Sequence, residues 1–375
     1  MPIATLLIQS ERKLDGLHGL RAVAATAVVL FHLQAMEGVP RDSWFAVLTG
    51  HFYLSVQLFF VISAFSLYHS SRYAPARYPA YLVKRFFRIA PLYYVMLGYV
   101  AWRVAFPGWG ALLANATFTF NLFPGLEQGM VYAGWSVGVE MIFYLLLPGL
   151  LFLFRSRVAL ALLFVAATTS SALMWRLTAG VPALPEYFAY YSLVGNLPAF
   201  AAGLFAYRVF MALDVRPRRE VASAGFAVAF ALLLALAIVD PLELHWRASG
   251  LYFAVWGLPF AVLCLWQALY PGGLMRTRFA QWLADRSFSI YLLHPVVLVV
   301  LRRGYPLLGF WGVPDGGWLY PACVAGAIFA LLAAAEITYR CVELPGIAAG
   351  RRIAARINAA GKPIRPSQSS LEQGR

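Results

Sequence analysis

The sequence predicts an all-α, polytopic membrane protein of about ten transmembrane helices with both termini in the cytoplasm. Three observations carry this. Of 375 residues, 61% are hydrophobic and only 12% charged, and mean hydropathy is +0.70, whereas soluble domains are about 45–50% apolar and about 25% charged. So few charges cannot cover a water-soluble core of this size, while a bilayer needs only runs of about 20 apolar residues with short polar connections. The third observation is the placement of Lys and Arg, taken up below.

In chain order, apolar runs between charged or turn-rich breaks fall at 20–36, 50–68, 89–106, 138–154, 158–178, 190–210, 222–239, 249–268, 287–301 and 318–338. Each reads as one helix. The first run follows Arg21, and no small-residue cleavage site stands at a secretory spacing, so the N-terminus is expected to be retained. An even number of spans puts both termini on one side. On that side lie 24 of the 30 Lys and Arg residues, with only Arg41, Arg103, Arg176, Arg247, Arg302 and Arg303 on the other, so the shared side is cytoplasmic by the positive-inside rule. This accounts for the net charge of +14 and removes the case for a nucleic-acid partner; the basic face suits anionic lipid headgroups instead. Segment 107–134, rich in Gly and aromatics, is expected to be a re-entrant or interfacial hairpin. Residues 1–345 form one membrane domain. Residues 346–375 read as a basic amphipathic stub and a polar tail, disordered beyond about Lys362. Cys264, Cys323 and Cys341 show no CxxC spacing, so neither a disulfide framework nor a metal knuckle is indicated.

Ionisable residues inside a membrane are functional candidates by default. Here they are His32, Glu140, His294 and Glu336, with Arg21, Arg85 and Arg88 at the inner rim. Arg21 and His32 are eleven residues apart, about three turns or about 16 Å, and so share one helix face. A guanidinium at the boundary and an imidazole near mid-membrane suit an anionic anchor below and a base above. Glu140, on a helix running inward to Arg155, is expected about 22 Å above the inner boundary, beside His32, where a carboxylate can fix the imidazole tautomer. Pro295 cannot bond back to the carbonyl of Tyr291; His294 either satisfies that carbonyl or joins the chemistry. Lys84, Arg85 and Arg88 form a candidate phosphate clamp, and the interleaved aromatics suit stacking.

The ordered segments LHGLRAVAATAVVLFH, FFVISAF, KRFFRIAPLYY, WSVGVEMIFYLLLP, SFSIYLLHP and ITYRCVELP, spanning 14–345, resemble the integral-membrane acyltransferase-3 family of O-acyltransferases. The resemblance implies a ten-helix membrane domain, His32 as the catalytic residue and Arg21 as essential. Arg85 and Arg88 match the family's Arg-x-x-Arg, similar to an acyl-CoA element on a cytoplasmic loop. Trp135, Ser136, Glu140 and Tyr144 match its W-S-x-x-x-E-x-x-F-Y segment, and Ser287, Tyr291 and His294 its late S-x-S-x-Y-L-x-H-x-P motif. Two positions depart from the pattern. His18 stands where an acidic residue is usual, with Asp15 three residues earlier, and Ala64 follows Ser63 where Gly is common. Some members also carry an extracytoplasmic hydrolase-like domain; none is expected here, so the expectation is direct transfer or hand-over to a separate protein.

The expected activity is transfer of an acyl group, acetyl above all, from cytoplasmic acyl-CoA to a hydroxyl of a sugar or glycan, free or lipid-linked, in the bacterial inner (plasma) membrane. His32 is the expected base, Glu140 its orienter, and Tyr291 or His294 the oxyanion donors. Arg21, Arg85, Arg88 and Lys84 are expected to hold the donor, and Trp135, Ser136 and Tyr144 the acceptor; no metal is implied. A proton-coupled transporter of an anionic small molecule, relaying protons through His32, Glu140 and His294, is the alternative.

Overall fold

The computed structural model describes residues 14–34, 49–73, 78–103, 107–181, 184–185, 187–213, 218–239, 250–310 and 319–360. All regular structure among them is helical. The helices are α1 (Asp15–Gln34), α2 (Ser55–Tyr73), α3 (Tyr78–Arg103), α4 (Trp109–Ala116), α5 (Trp135–Leu153), α6 (Arg157–Gly180), α7 (Phe188–Tyr191) and α8 (Leu193–Ala212). Then follow α9 (Arg219–Val239), α10 (Tyr252–Leu269), α11 (Arg278–Asp285), α12 (Ser287–Phe310), α13 (Leu319–Thr338) and α14 (Leu344–Ala360). Ser156, Ser192 and Thr277 cap α6, α8 and α11 by accepting the amides of Ala159, Gly195 and Ala280, relieving one unpaired amide at each helix start.

The described part of each apolar run read from the sequence falls mainly on one of these helices, and the polytopic, all-α class holds. By length and composition, 8 described helices can cross a membrane, or 9 when α11 and α12, bent by 69°, count as one span. The third run is the exception. Its helix starts at Tyr78, eleven residues before the expected 89, and takes in Lys84, Arg85, Arg88 and five tyrosines. It is therefore too polar to pass as a simple apolar span. Pro91 sits inside this helix.

Leu162, Val165, Val228, Phe230, Leu232 and Leu234 face outward on α6 and α9, the arrangement a lipid-exposed wall requires. The interior is tightly packed. Phe200 of α8 stacks between Phe60 and Phe143, with centroids at 4.6 and 4.0 Å. A Cβ on Gly203 would lie 2.4 Å from the Val61 carbonyl oxygen and 2.9 Å from Ala64 Cβ. The close approach beside Ser63 thus depends on a glycine across the interface, which is why alanine is tolerated at 64. At the start of α1, Cβ atoms on Gly16 and Gly19 would fall 2.1 Å from Gln267 O and 2.6 Å from Met275 O. The Asp-Gly-Leu-His-Gly-Leu run is a packing seam.

Segment 107–134, expected as a re-entrant or interfacial hairpin, is α4 followed by a 3-10 turn at Phe120–Leu122 and further turns, pinned by buried amides. Asn121 Nδ2 donates to the carbonyls of Glu127, Trp135 and Tyr191 at 2.8, 3.1 and 2.8 Å. Asn115 Oδ1 accepts from Tyr93 Oη at 3.0 Å and Met130 N at 2.8 Å. The stub expected from 346 onward begins as α14, docked along α3. The expected tail beyond Lys362, and Arg41, Arg77 and Arg247, lie outside the described residues.

Candidate active site

The site has two ends on one axis, set by α1. Arg21 marks one end and His32 the other, about 16 Å apart by helical rise.

At the His32 end is a cavity of about 720 Å³. Its wall includes His32 and Phe31 from α1, Tyr53 just before α2, Tyr132, Trp135 at the start of α5, and Tyr291 from α12. Tyr190, Tyr191 and Tyr252 extend the aromatic lining, with the Tyr53 and Tyr252 hydroxyls hydrogen-bonded to each other. Trp135 packs against Tyr190 and Tyr191 with centroids at 5.2 and 5.3 Å. Motif-based reading found only Trp135 and Tyr291 of this lining, because the tyrosines come from separate loops and helix ends with no common spacing.

His32 Nδ1 lies 2.9 Å from the Val28 carbonyl oxygen, one turn back on its own helix. A carbonyl only accepts, so Nδ1 carries the proton and Nε2 is left as a lone pair. The His294 ring lies 4.8 Å from the His32 ring, centroid to centroid. His294 Nδ1 donates to the Tyr291 carbonyl at 2.6 Å, the acceptor that Pro295 leaves unpaired. Its Nε2 is fully buried and has no hydrogen-bond partner among the described residues.

Three sequence expectations need correction here. Glu140 does not orient His32: its carboxylate accepts from the hydroxyls of Ser63 and Tyr144, while His32 is oriented by Val28. Height along a helix says nothing of azimuth, and α5 begins at the cavity, so Glu140 lies more than a turn deeper, toward Arg21. Tyr291 is not a free oxyanion donor, since its hydroxyl donates to Ala133 O at 3.0 Å and lies 2.8 Å from Ser136 Oγ. Ser136 thus braces Tyr291, and Ala133, at φ 61°, presents its carbonyl from a left-handed backbone. His294 gives its Nδ1–H to the Tyr291 carbonyl, and with its Nε2 buried behind the cavity wall it is not placed as an oxyanion donor.

At the other end, Arg21 lies within electrostatic range of Arg85, Arg88, Glu140 and Tyr144. Five sequence-singled residues from α1, α3 and α5 are therefore brought together, and Tyr144, one of them, belongs here, not at the cavity. The Arg85 guanidinium stands 6.0 Å from the Tyr81 ring centroid and 5.8 Å from that of Tyr144. Arg21 Nε and Tyr81 Oη are buried without hydrogen-bond partners among the described residues. Lys84 departs from the group: it is exposed while Arg85 and Arg88 are partly buried. One residue is about 100° of helix rotation, enough to turn Lys84 away from its neighbours.

Glu336 is not an isolated membrane carboxylate, for Arg286 and Arg340 both bond it. Arg286 also lies 4.5 and 4.6 Å from the ring centroids of Trp282 and Tyr339. The two polar positions near the start of α1 serve packing. His18 Nε2 lies 2.8 Å from Asp285 Oδ1, and the Asp15 carbonyl accepts from Gln281 Nε2 at 3.0 Å.

A profile of the acyltransferase domain, acyltransferase-3 type, matches residues 14–339, nearly the whole chain. The chain belongs to the acyltransferase-3 family. It is similar to peptidoglycan O-acetyltransferase OatA of Listeria monocytogenes, 24% identical over 324 residues, which cover 77% of this chain and 50% of that protein. It is likewise similar to YrhL of Bacillus subtilis, a candidate peptidoglycan O-acetyltransferase, 25% identical over 348 residues, or 81% of this chain and 52% of that one. The chain thus spans about half the length of these curated relatives. No solved structure matches it.

Proposed function

We propose that this acyltransferase-3 chain is a membrane O-acyltransferase that moves an acetyl or similar short acyl group from cytoplasmic acyl-CoA to a hydroxyl of an envelope glycan. The observation that carries the reading is the pairing of two unlike ends on one axis: a cluster of arginines with unsatisfied buried donors, and an aromatic cavity with an imidazole lone pair in its wall. The Lys/Arg bias supports placing the arginine end at the cytoplasmic face of the plasma membrane, with both termini there. Arg21, Arg85 and Arg88 suit the phosphates of CoA, since guanidinium–phosphate hydrogen bonds are the strong, geometrically specific ones. The long pantetheine arm then brings the thioester along α1 to His32. Stacked aromatics suit the apolar faces of sugar rings, with Trp135 the central platform, and the relatives' names supply peptidoglycan as the model acceptor, whether free or lipid-linked.

In the reaction, the acceptor oxygen attacks the thioester carbonyl carbon while His32 Nε2 takes its proton. The new C–O bond forms, the C–S bond breaks, and the proton passes from His32 to the departing thiolate. Val28 holds the imidazole in the required tautomer throughout. His294 packs against His32 from outside the cavity wall, ring centroids 4.8 Å apart, and so backs the base without facing the ligand. Glu140, bonded to Ser63 and Tyr144, keeps the arginines from repelling one another.

The test is transfer of label from acetyl-CoA to cell-envelope glycan in membranes holding equal amounts of wild-type protein or His32→Ala. Label in the glycan that disappears with His32→Ala supports the reading. Equal transfer by both removes His32 as base, and CoA consumption by neither favours transport over catalysis.

A further inference from the structure

The arginine cluster has a second carboxylate near it. Beyond Thr338 the backbone widens into a π-turn, Tyr339–Glu343, before continuing as α14. Such turns occur often at functional sites because the extra residue re-aims a side chain. Here the re-aimed side chain is Glu343, only 2% exposed. The Ser289 hydroxyl donates to its Oε1, and Thr338 Oγ1 lies 2.9 Å from Ser289 Oγ. The carboxylate is within electrostatic range of Arg88 and Arg21 yet makes no ion pair with either.

The turn is clamped to the arginine-bearing part of α3. A Cβ on Gly346 would lie 2.7 Å from Phe87 O, and one on Gly350 2.6 Å from Phe87 Cβ. Phe87 immediately precedes Arg88, so α14 packs directly on the turn of α3 that carries Arg88. Glu343 belongs to the closing ITYRCVELP segment, four residues beyond the end of the matched profile at 339.

We propose that Glu343 is a built-in counter-charge that sets how tightly the arginine end holds an anionic donor and its product. Held by Ser289 and not by a guanidinium, it offsets part of the positive potential without occupying the arginines' hydrogen-bonding positions. A fixed negative charge at this range weakens binding of CoA phosphates and lets spent CoA leave. Glu343 acts through Arg21 and Arg88 and touches neither substrate. The inference rests on the arginine end being the donor site.

The experiment measures binding of CoA itself to the full-length protein in detergent, for wild type, Glu343→Gln, Glu343→Asp and Ser289→Ala, with thermal melts as a folding control. Glu343→Gln should bind CoA about tenfold more tightly, with the gain shrinking as salt rises; Glu343→Asp should resemble wild type. A residue of merely structural importance would weaken binding when replaced. Ser289→Ala should also weaken it, for a distinct reason: the freed carboxylate can turn to a guanidinium and compete with phosphate. Unchanged or weaker binding by a folded Glu343→Gln protein overturns the proposal. If that variant fails to fold, unchanged or tighter binding by Ser289→Ala does so. Folded wild-type protein that binds no CoA overturns the donor-site reading itself, and this inference with it.

Discussion

The arginine end and the cavity end of the bundle are built on opposite principles. Arg21, Arg85 and Arg88 are gathered against Glu140 and Glu343 with guanidinium and phenol donors left unsatisfied, a state that only an arriving anion completes. At the cavity end the polar groups are mostly satisfied: Val28 fixes His32, the Tyr291 carbonyl fixes His294, and Ser136 with Ala133 fixes the Tyr291 hydroxyl. What remains open there is the imidazole lone pair of His32 in an aromatic wall. The difference teaches how one helix, α1, can separate recognition of a charged donor from proton transfer at a neutral acceptor.

Substitutions at the two ends should break this division in different ways. The largest effect is expected at His32. His32→Ala should lower kcat by about 10²–10⁴, the usual worth of general base catalysis, while CoA affinity measured on the same preparation stays at the wild-type value. Next comes Arg88→Ala, which should raise KM for acyl-CoA by about 10–100-fold through loss of charge-assisted hydrogen bonds, with kcat nearly retained. Trp135→Ala should be milder and should fall on the other substrate. Loss of one aromatic platform should raise KM for the glycan by about tenfold, leaving KM for acyl-CoA unchanged in the same steady-state assay. Lys84→Ala sharpens the comparison by doing least: an exposed side chain turned away from Arg85 and Arg88 should change donor KM by less than about twofold.

Much of the fold could be read from hydropathy because lipid-facing helices such as α6 and α9 are apolar nearly all round. The reading stumbled where function places charge inside a helix. Lys84, Arg85 and Arg88 look like a loop in a hydropathy trace, so α3 was expected to begin eleven residues too late. Motif spacing placed Arg21 and His32 along one helix and placed Arg85 and Arg88 one turn apart on α3, because both statements concern neighbours within a single helix. It failed between helices. Glu140 was expected beside His32 since depth was counted from Arg155, whereas its neighbours Ser63 and Arg21 depend on how α5 is rotated against α1 and α2. The cavity tyrosines carry no local signal, and Glu343, although part of the closing ITYRCVELP segment, shows its place only once the π-turn has formed.

The division of labour is tested most directly by measuring CoA affinity and acyl transfer in parallel on purified His32→Ala and Arg88→Ala proteins. The account predicts a double dissociation: His32→Ala binds CoA as wild type does but transfers about 10²–10⁴ times more slowly, while Arg88→Ala binds CoA poorly yet approaches wild-type turnover at saturating donor. If instead both variants lose binding and turnover in proportion, the two ends do not act separately and the account fails.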